Sequence, residues 1–180
     1  MANLTQLTHL DISQLAHAGD GVSGRARAAV FTRLMQDVLD AGSERVVDWS
    51  AQGHSRQTFG ASKPQVWLTV QASVDLLMTC QSCLEPVEVT LQVDREFRFV
   101  ADEDQALRED EDSEEDLLVN PHEFDVYALI EDELILSLPL VPRHGGCIAA
   151  YQATEEELAA DSEASKPNPF AALATLKNNQ

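Results

Sequence analysis

The chain has 180 residues, 44% of them hydrophobic, and its 31 acidic against 12 basic side chains give a formal net charge of -19. That composition predicts one globular domain with tails and argues against a broad basic groove for nucleic acid, because such grooves draw their affinity from Lys and Arg displacing condensed counterions. No apolar run approaches the ~20 residues that span a bilayer, residues 1–7 lack the basic and apolar regions of a secretory signal, and three cysteines make no disulfide framework; a cytoplasmic protein without a membrane partner is expected.

In chain order, Leu10, Asp11 and Ile12 read as a short strand before the turn at Gly19, Asp20 and Gly21. Over residues 24–41, Val30, Phe31, Leu34, Met35, Val38 and Leu39 recur at helical spacing, with Ser23 as N-cap and Gly42 as stop, so the spacing predicts an amphipathic helix. Residues 45–51, 65–78 and 87–100 then alternate apolar and polar, the signature of an antiparallel β-meander with one buried face. Within the second run Val66, Leu68 and Val70 face one way and Trp67, Thr69 and Gln71 the other. Ten acids against the single Arg108 fill residues 102–116, which predicts a solvated, disordered acidic loop near 101–118.

A second helix is expected over residues 123–138, through Val126, Leu129, Ile130, Leu134 and Leu138, with Pro139 ending it and Glu131, Asp132 and Glu133 exposed. Residues 151–165 read as a flexible acidic linker. The tail then places Asn168 and Pro169 as the start of a short helix whose Phe170, Leu173 and Leu176 share one face and form a docking element. The predicted architecture is α+β: a meander packed with two main helices in a single domain over residues 1–150, followed by a linker and C-terminal helix over 151–180.

The chemistry-bearing residues are few. Cys80 and Cys83 sit two residues apart in a tight turn between two strand-like runs, and His144 and Cys147 repeat that spacing later. One turn can aim two side chains at one ion, and Cys3His is a donor set zinc favours, so Cys80, Cys83, His144 and Cys147 are candidate ligands of one structural zinc. The same cysteines also fit a redox pair or small buried side chains. A thioredoxin-like role is disfavoured because a strand-like run, and no helix, follows Cys83. Glu131 and Glu133 are the carboxylates a divalent-metal hydrolase would use, but neighbouring helix acids more often form a solvated face. No Gly-rich phosphate loop or nucleophile elbow is present.

Four segments together resemble the YceD family, the large ribosomal RNA subunit accumulation proteins. They are residues 79–83 (Thr-Cys-Gln-Ser-Cys), residues 120–125 (Asn-Pro-His-Glu-Phe-Asp), the run 130–144 beginning Ile-Glu-Asp-Glu-Leu-Ile-Leu-Ser-Leu-Pro, and the Lys-Pro-Asn-Pro-Phe tail from Lys166. The resemblance implies a non-enzymatic bacterial factor of ribosome biogenesis, needed for synthesis, processing or stability of 23S rRNA, and places Cys80, Cys83 and Cys147 where the family tends to carry cysteines. Joined to the charge, it points to a basic ribosomal protein or large-subunit assembly factor as partner, with rRNA reached directly or through it. Glu131, Asp132, Glu133, Phe170, Leu173 and Leu176 are the candidate contacts. An RNA-processing hydrolase and a Cys80/Cys83 redox sensor are the alternatives.

Overall fold

A computed structural model describes residues 9–39, 44–57, 63–120 and 123–147. Helix α1 (Ile12–Ala18) is followed by strands β1 (Gly21–Arg27), β2 (Val46–Arg56), β3 (Gln65–Thr79) and β4 (Pro86–Val100). Helix α2 (Glu103–Glu109), strand β5 (Asp116–Val119) and helix α3 (Val126–Leu136) complete the described order. The protein is α+β, with one five-stranded sheet in the order β1-β2-β3-β4-β5. β1 through β4 pair consecutively and antiparallel, whereas β5 lies parallel to β4, so the sheet is mixed. A parallel neighbour needs a crossover, and α2 supplies it. Among the described residues no helix is long and apolar enough to cross a membrane.

Period-two alternation divides the sheet into an apolar and a polar face. Val47, Trp49 and Ala51 of β2, Leu68, Val70, Ala72, Val74, Leu76 and Met78 of β3, and Val87, Leu91, Val93, Phe97 and Phe99 of β4 are all buried. Across the other face, the register aligns Ser50, Gln71 and Asp94 in one row and Gln52, Thr69 and Glu96 in the next. Trp67 is nonetheless buried on that polar side, beneath the Arg56 guanidinium at 4.3 Å from its ring. Helix α3 starts at Asp125, whose side chain accepts the Ala128 N–H at 3.0 Å, and it buries Val126, Ile130 and Leu134. Its Tyr127 meets Trp49 edge-on at 5.3 Å. Each of those aliphatic side chains contributes on the order of 2 kcal/mol by leaving water.

The beginning of the chain corrects two expectations. Leu10 makes an isolated bridge to Phe124, and Asp11 caps a helix by accepting the Gln14 N–H at 2.9 Å; Gly19, at φ 66, closes that helix in the left-handed conformation. This α1 lies so close to β2 that a Cβ on Gly53 would sit 2.7 Å from the backbone of Leu15 and Ala16. The helix expected over 24–41 is absent. Residues Gly21–Arg27 form edge strand β1, followed by short 3-10 turns at Ala28–Val30 and Leu34–Gln36. Phe31, Leu34, Met35 and Val38 are buried as their pattern implied. Spacings of three and four residues serve successive 3-10 turns as well as an α-helix, so periodicity alone could not separate them.

The acidic segment expected as a disordered loop carries α2, a 3-10 turn at Asp110–Asp112 and β5. Asp102 caps α2 by accepting the Gln105 N–H at 2.7 Å. The organising cation is Arg98, 5% exposed, which donates to Glu109 at 2.6 Å and to Ser113 at 2.8 Å and lies 3.2 Å from Glu115. With the Gln105 amide donating at 2.8 Å and Arg98 beside it, the Glu109 carboxyl is held below its ordinary pKa. A buried guanidinium needs anionic partners, and the run supplies them.

The acids of α3 also turn inward. Glu131 is buried and accepts the backbone N–H of Arg33 at 2.7 Å and of Leu34 at 3.3 Å, plus the Arg33 Nε at 2.9 Å. It thereby satisfies donors at the start of the Leu34–Gln36 turn, which no local side chain caps. Asp132, exposed, accepts Arg33 Nη1 at 2.6 Å. Glu133 is 11% exposed and lies 3.8 Å from Arg95, which also pairs with Asp116 of β5; burial first pushes its carboxyl up and Arg95 opposes that. The exposed acidic face expected at 131–133 is therefore reduced to Asp132. Replacing Glu131 with Ala strands two backbone donors, so urea denaturation should show a loss of about 2–4 kcal/mol, and Glu131→Gln, which keeps an acceptor, a smaller one. A cost below about 0.5 kcal/mol for Glu131→Ala would mark a solvated side chain instead.

Candidate metal centre

The two longest strands determine where the cysteines lie. β2 pairs with β3 from Gln65 only as far as Ser73, whereas β3 and β4 continue pairing from Val74↔Leu91 to Thr79↔Pro86. Beyond Ser73 the hairpin is a two-stranded arm, and the Cys80–Cys83 turn is its tip. Cys80 is completely buried, its N–H donates to the Glu85 carbonyl at 2.9 Å, and its carbonyl accepts the Leu84 N–H at 2.9 Å. Leu84 adopts φ 64, the only non-glycine residue with positive φ among the described residues.

The late segment closes on this tip. The Gln81 N–H donates to the Pro142 carbonyl at 2.9 Å, which brings the residues after α3 against the turn. His144 Nδ1 lies 3.5 Å from Cys83 Sγ, and its Nε2 lies 3.0 Å from the Pro86 carbonyl. An Nε2–H donated to that carbonyl leaves the Nδ1 lone pair facing the sulfurs, an outer hydrogen bond that orients a metal-binding imidazole. The ligand atoms of Cys80, Cys83, His144 and Cys147 all lie within 4.8 Å of one another. A tetrahedral ion with bonds of about 2.3 Å separates its ligands by about 3.8 Å. Small side-chain movements therefore suffice.

Charge at the cluster favours metal ligation. Burial alone would push the Cys80 thiol up, but backbone N–H groups of Cys83, His144 and Ser82, with the Cys83 side chain, outweigh it and bring the thiol down to about 5. The Pro86 carbonyl first, then the Cys80 sulfur, raise the His144 imidazole. A concave set of N–H groups around a sulfur is a site built for a thiolate. Three cysteine sulfurs and one imidazole form a closed donor set of structural type. A bound ion would supply a cross-link between the arm tip and the segment after α3. All four residues singled out as ligands are thus brought together.

The other candidate residues fare differently. Glu131 and Glu133 serve internal ion pairs, Asp132 is exposed beside Arg33, and Phe170, Leu173 and Leu176 lie outside the described residues, as do the linker and tail helix. A cleft of about 900 Å³ lies near the opposite end of β4, lined by Lys63, Arg98, Glu109 and Asn120 among others. Its buried Arg98 and half-buried Glu109 are committed to each other. The functional roles of Arg33, Arg95 and Arg98 as organisers of acids carried no sequence signal, since each partner is distant or sits in an acid-rich run.

Two outcomes follow from the cluster. The chain should bind one equivalent of zinc, and cobalt should replace it with the intense visible bands of a tetrahedral thiolate site; Cys80→Ser should lose both. In the chelated chain, the depressed Cys80 pKa contributes stability that is full above the ordinary thiol value of 9.0 and is lost as pH falls through about 5. His144, raised, works in the opposite sense, its contribution being full below 6.5 and lost as pH rises through its folded value. Denaturation midpoints of chelated wild type should accordingly fall between pH 9 and pH 5 relative to those of Cys80→Ser; parallel curves would show that Cys80 does not ionise in the fold.

The family model described as Large ribosomal RNA subunit accumulation protein YceD matches residues 68–177, a stretch that contains all four cluster residues. The Large ribosomal RNA subunit accumulation protein YceD of Haemophilus influenzae is 43% identical over 110 residues, 60% of this chain and 62% of that relative. The match thus spans less than two thirds of the relative's own length. No solved structure matches the chain. With the model covering more than half of its residues, the chain belongs to the YceD family.

Proposed function

We propose that this protein is a non-enzymatic factor of large-subunit biogenesis that sustains the accumulation of 23S rRNA, and that it acts by holding a basic ribosomal protein or assembly factor. Membership of the YceD family, whose description names large ribosomal RNA subunit accumulation, carries the reading. The net charge of -19 supports a protein partner with basic surface over a direct grip on a phosphate backbone, because like charge repels the one and steers the other. Asp132 and the tail residues Phe170, Leu173 and Leu176 are the proposed contacts, and the Cys3His cluster is the proposed seat of one structural zinc.

The alternatives have less support. A metal-dependent hydrolase centred on Glu131 would draw on a carboxylate that already accepts two backbone N–H groups and a guanidinium. A redox cycle between Cys80 and Cys83 would compete with ligation, since both sulfurs share one cluster with His144 and Cys147. Dithiol–disulfide cycling at cytosolic potentials in the metal-loaded protein would favour that cycle.

Removing the gene should lower the ratio of 23S to 16S rRNA, and wild-type protein should restore it. A chain lacking residues 166–180 should fail to restore the ratio while keeping its melting temperature within a few degrees, as expected of a tail that docks. Full restoration by the truncated chain would remove the tail from the proposal, and an unchanged ratio on gene loss would overturn the function itself.

A further inference from the structure

The exposed large apolar side chains are unevenly placed. Leu84 is 75% exposed, Leu140 fully exposed and Val141 half exposed, and the Gln81–Pro142 hydrogen bond sets the last two beside the turn that carries Leu84. Leu136, at the end of α3, precedes the same segment and is 77% exposed. Single exposed leucines are ordinary, but several at one end of a molecule mark a contact surface.

Leu84 adds a second and independent observation. Its φ of 64 puts a Cβ where glycine or asparagine would sit with little or no strain. The turn geometry accounts for the conformation but not for the residue, because the leucine side chain gains no burial within the fold in return. A strained, solvent-facing leucine is best used by something that covers it. The surroundings indicate what that is. Glu85, next to Leu84, is exposed and makes no ion pair among the described residues; Arg143 is the only Lys or Arg in residues 126–147, and the whole chain carries -19. A second copy or an RNA would bring further negative charge to a chain that already carries -19. A basic segment would not.

We propose that the tip of the β3–β4 arm is a docking surface for a basic protein segment bearing an apolar anchor, with Leu84, Leu140 and Val141 as the contact side chains. This rests on the basic-partner reading above and names the surface that serves it. The test uses the full-length protein as purified, in wild-type form and as Leu84→Gly, Leu140→Ser/Val141→Ser and Leu107→Ser. Leu107 is an exposed leucine on α2, beyond the opposite end of β4, and serves as the control. Each is titrated against the individual basic proteins salt-stripped from large ribosomal subunits and against a 23S rRNA transcript. Wild type should bind at least one stripped protein, Leu84→Gly and the double variant should each weaken that binding about tenfold or more, and Leu107→Ser should match wild type. Leu84→Gly should do so with full metal content and an unchanged or raised melting temperature, which a merely unfolded tip would not show. Binding unaffected by either tip variant removes this surface but leaves the basic-partner reading standing. Capture of no stripped protein by wild type, or of rRNA alone, overturns both. A wild-type dimer abolished by Leu84→Gly would assign the surface to a second copy and overturn the proposal.

Discussion

The far end of the β3–β4 hairpin depends on the tie between the arm tip and the segment that follows α3. A two-stranded ribbon is marginal in water by itself, and past Ser73 the β3–β4 hairpin has no third strand beside it. Its free edge receives the Leu39 N–H at the Leu77 carbonyl (2.8 Å) and the Arg45 guanidinium at the Asp75 carbonyl (3.0 Å), and its end is held by the Gln81 hydrogen bond to Pro142, the His144 hydrogen bond to Pro86, and backbone N–H groups converging on the Cys80 sulfur. Buried Leu76, Met78 and Val87 lie just behind that end. An ion bound by the four ligand atoms would therefore couple ligation to the burial of these side chains.

A second constraint is charge. A chain with 31 acids and 12 strong bases cannot neutralise itself, and it places arginines where a backbone or loop needs an anion most. Arg33 joins Glu131 and Asp132 to the 3-10 segment, Arg95 stands between Glu133 and Asp116, and Arg98 gathers Glu109, Ser113 and Glu115 over the β4–β5 crossover. In each case the ion pair links elements distant in sequence or stabilises a segment that like-charge repulsion would otherwise extend. Among the described residues, acids such as Glu85, Asp94, Glu103 and Asp104 face solvent, and they give the surface the sign on which a basic partner would depend.

The sequence made some of this legible and hid the rest for identifiable reasons. The cysteine turn, the long alternating strands and α3 were readable because each is encoded locally, by ligand spacing, period two and period 3.6. α1 was readable in principle, since Asp11 and Gly19 are ordinary cap residues, but the short apolar stretch at Leu10 and Ile12 drew a strand assignment. The expected helix over 24–41 failed because β1 pairs with β2, where Gly24 lies opposite Trp49, and because Glu131 caps the 3-10 turn from 98 residues away. α2 and β5 looked disordered because the cation that orders them, Arg98, sits in the preceding strand. The strain at Leu84 could not be read at all, since nothing in a leucine announces positive φ.

The measurement that bears most directly on the clip is amide hydrogen exchange of the metal-loaded and chelated protein, read along β3 and β4. Protection of Leu76, Met78 and Val87 at the tip should match that of Leu68 and Val70 when metal is bound, and should be lost selectively on chelation while the β2-paired part of the sheet keeps its protection. Equal protection of the tip with and without metal would contradict the account, for the arm would then be held by packing alone and the Cys3His cluster would not be its fastening.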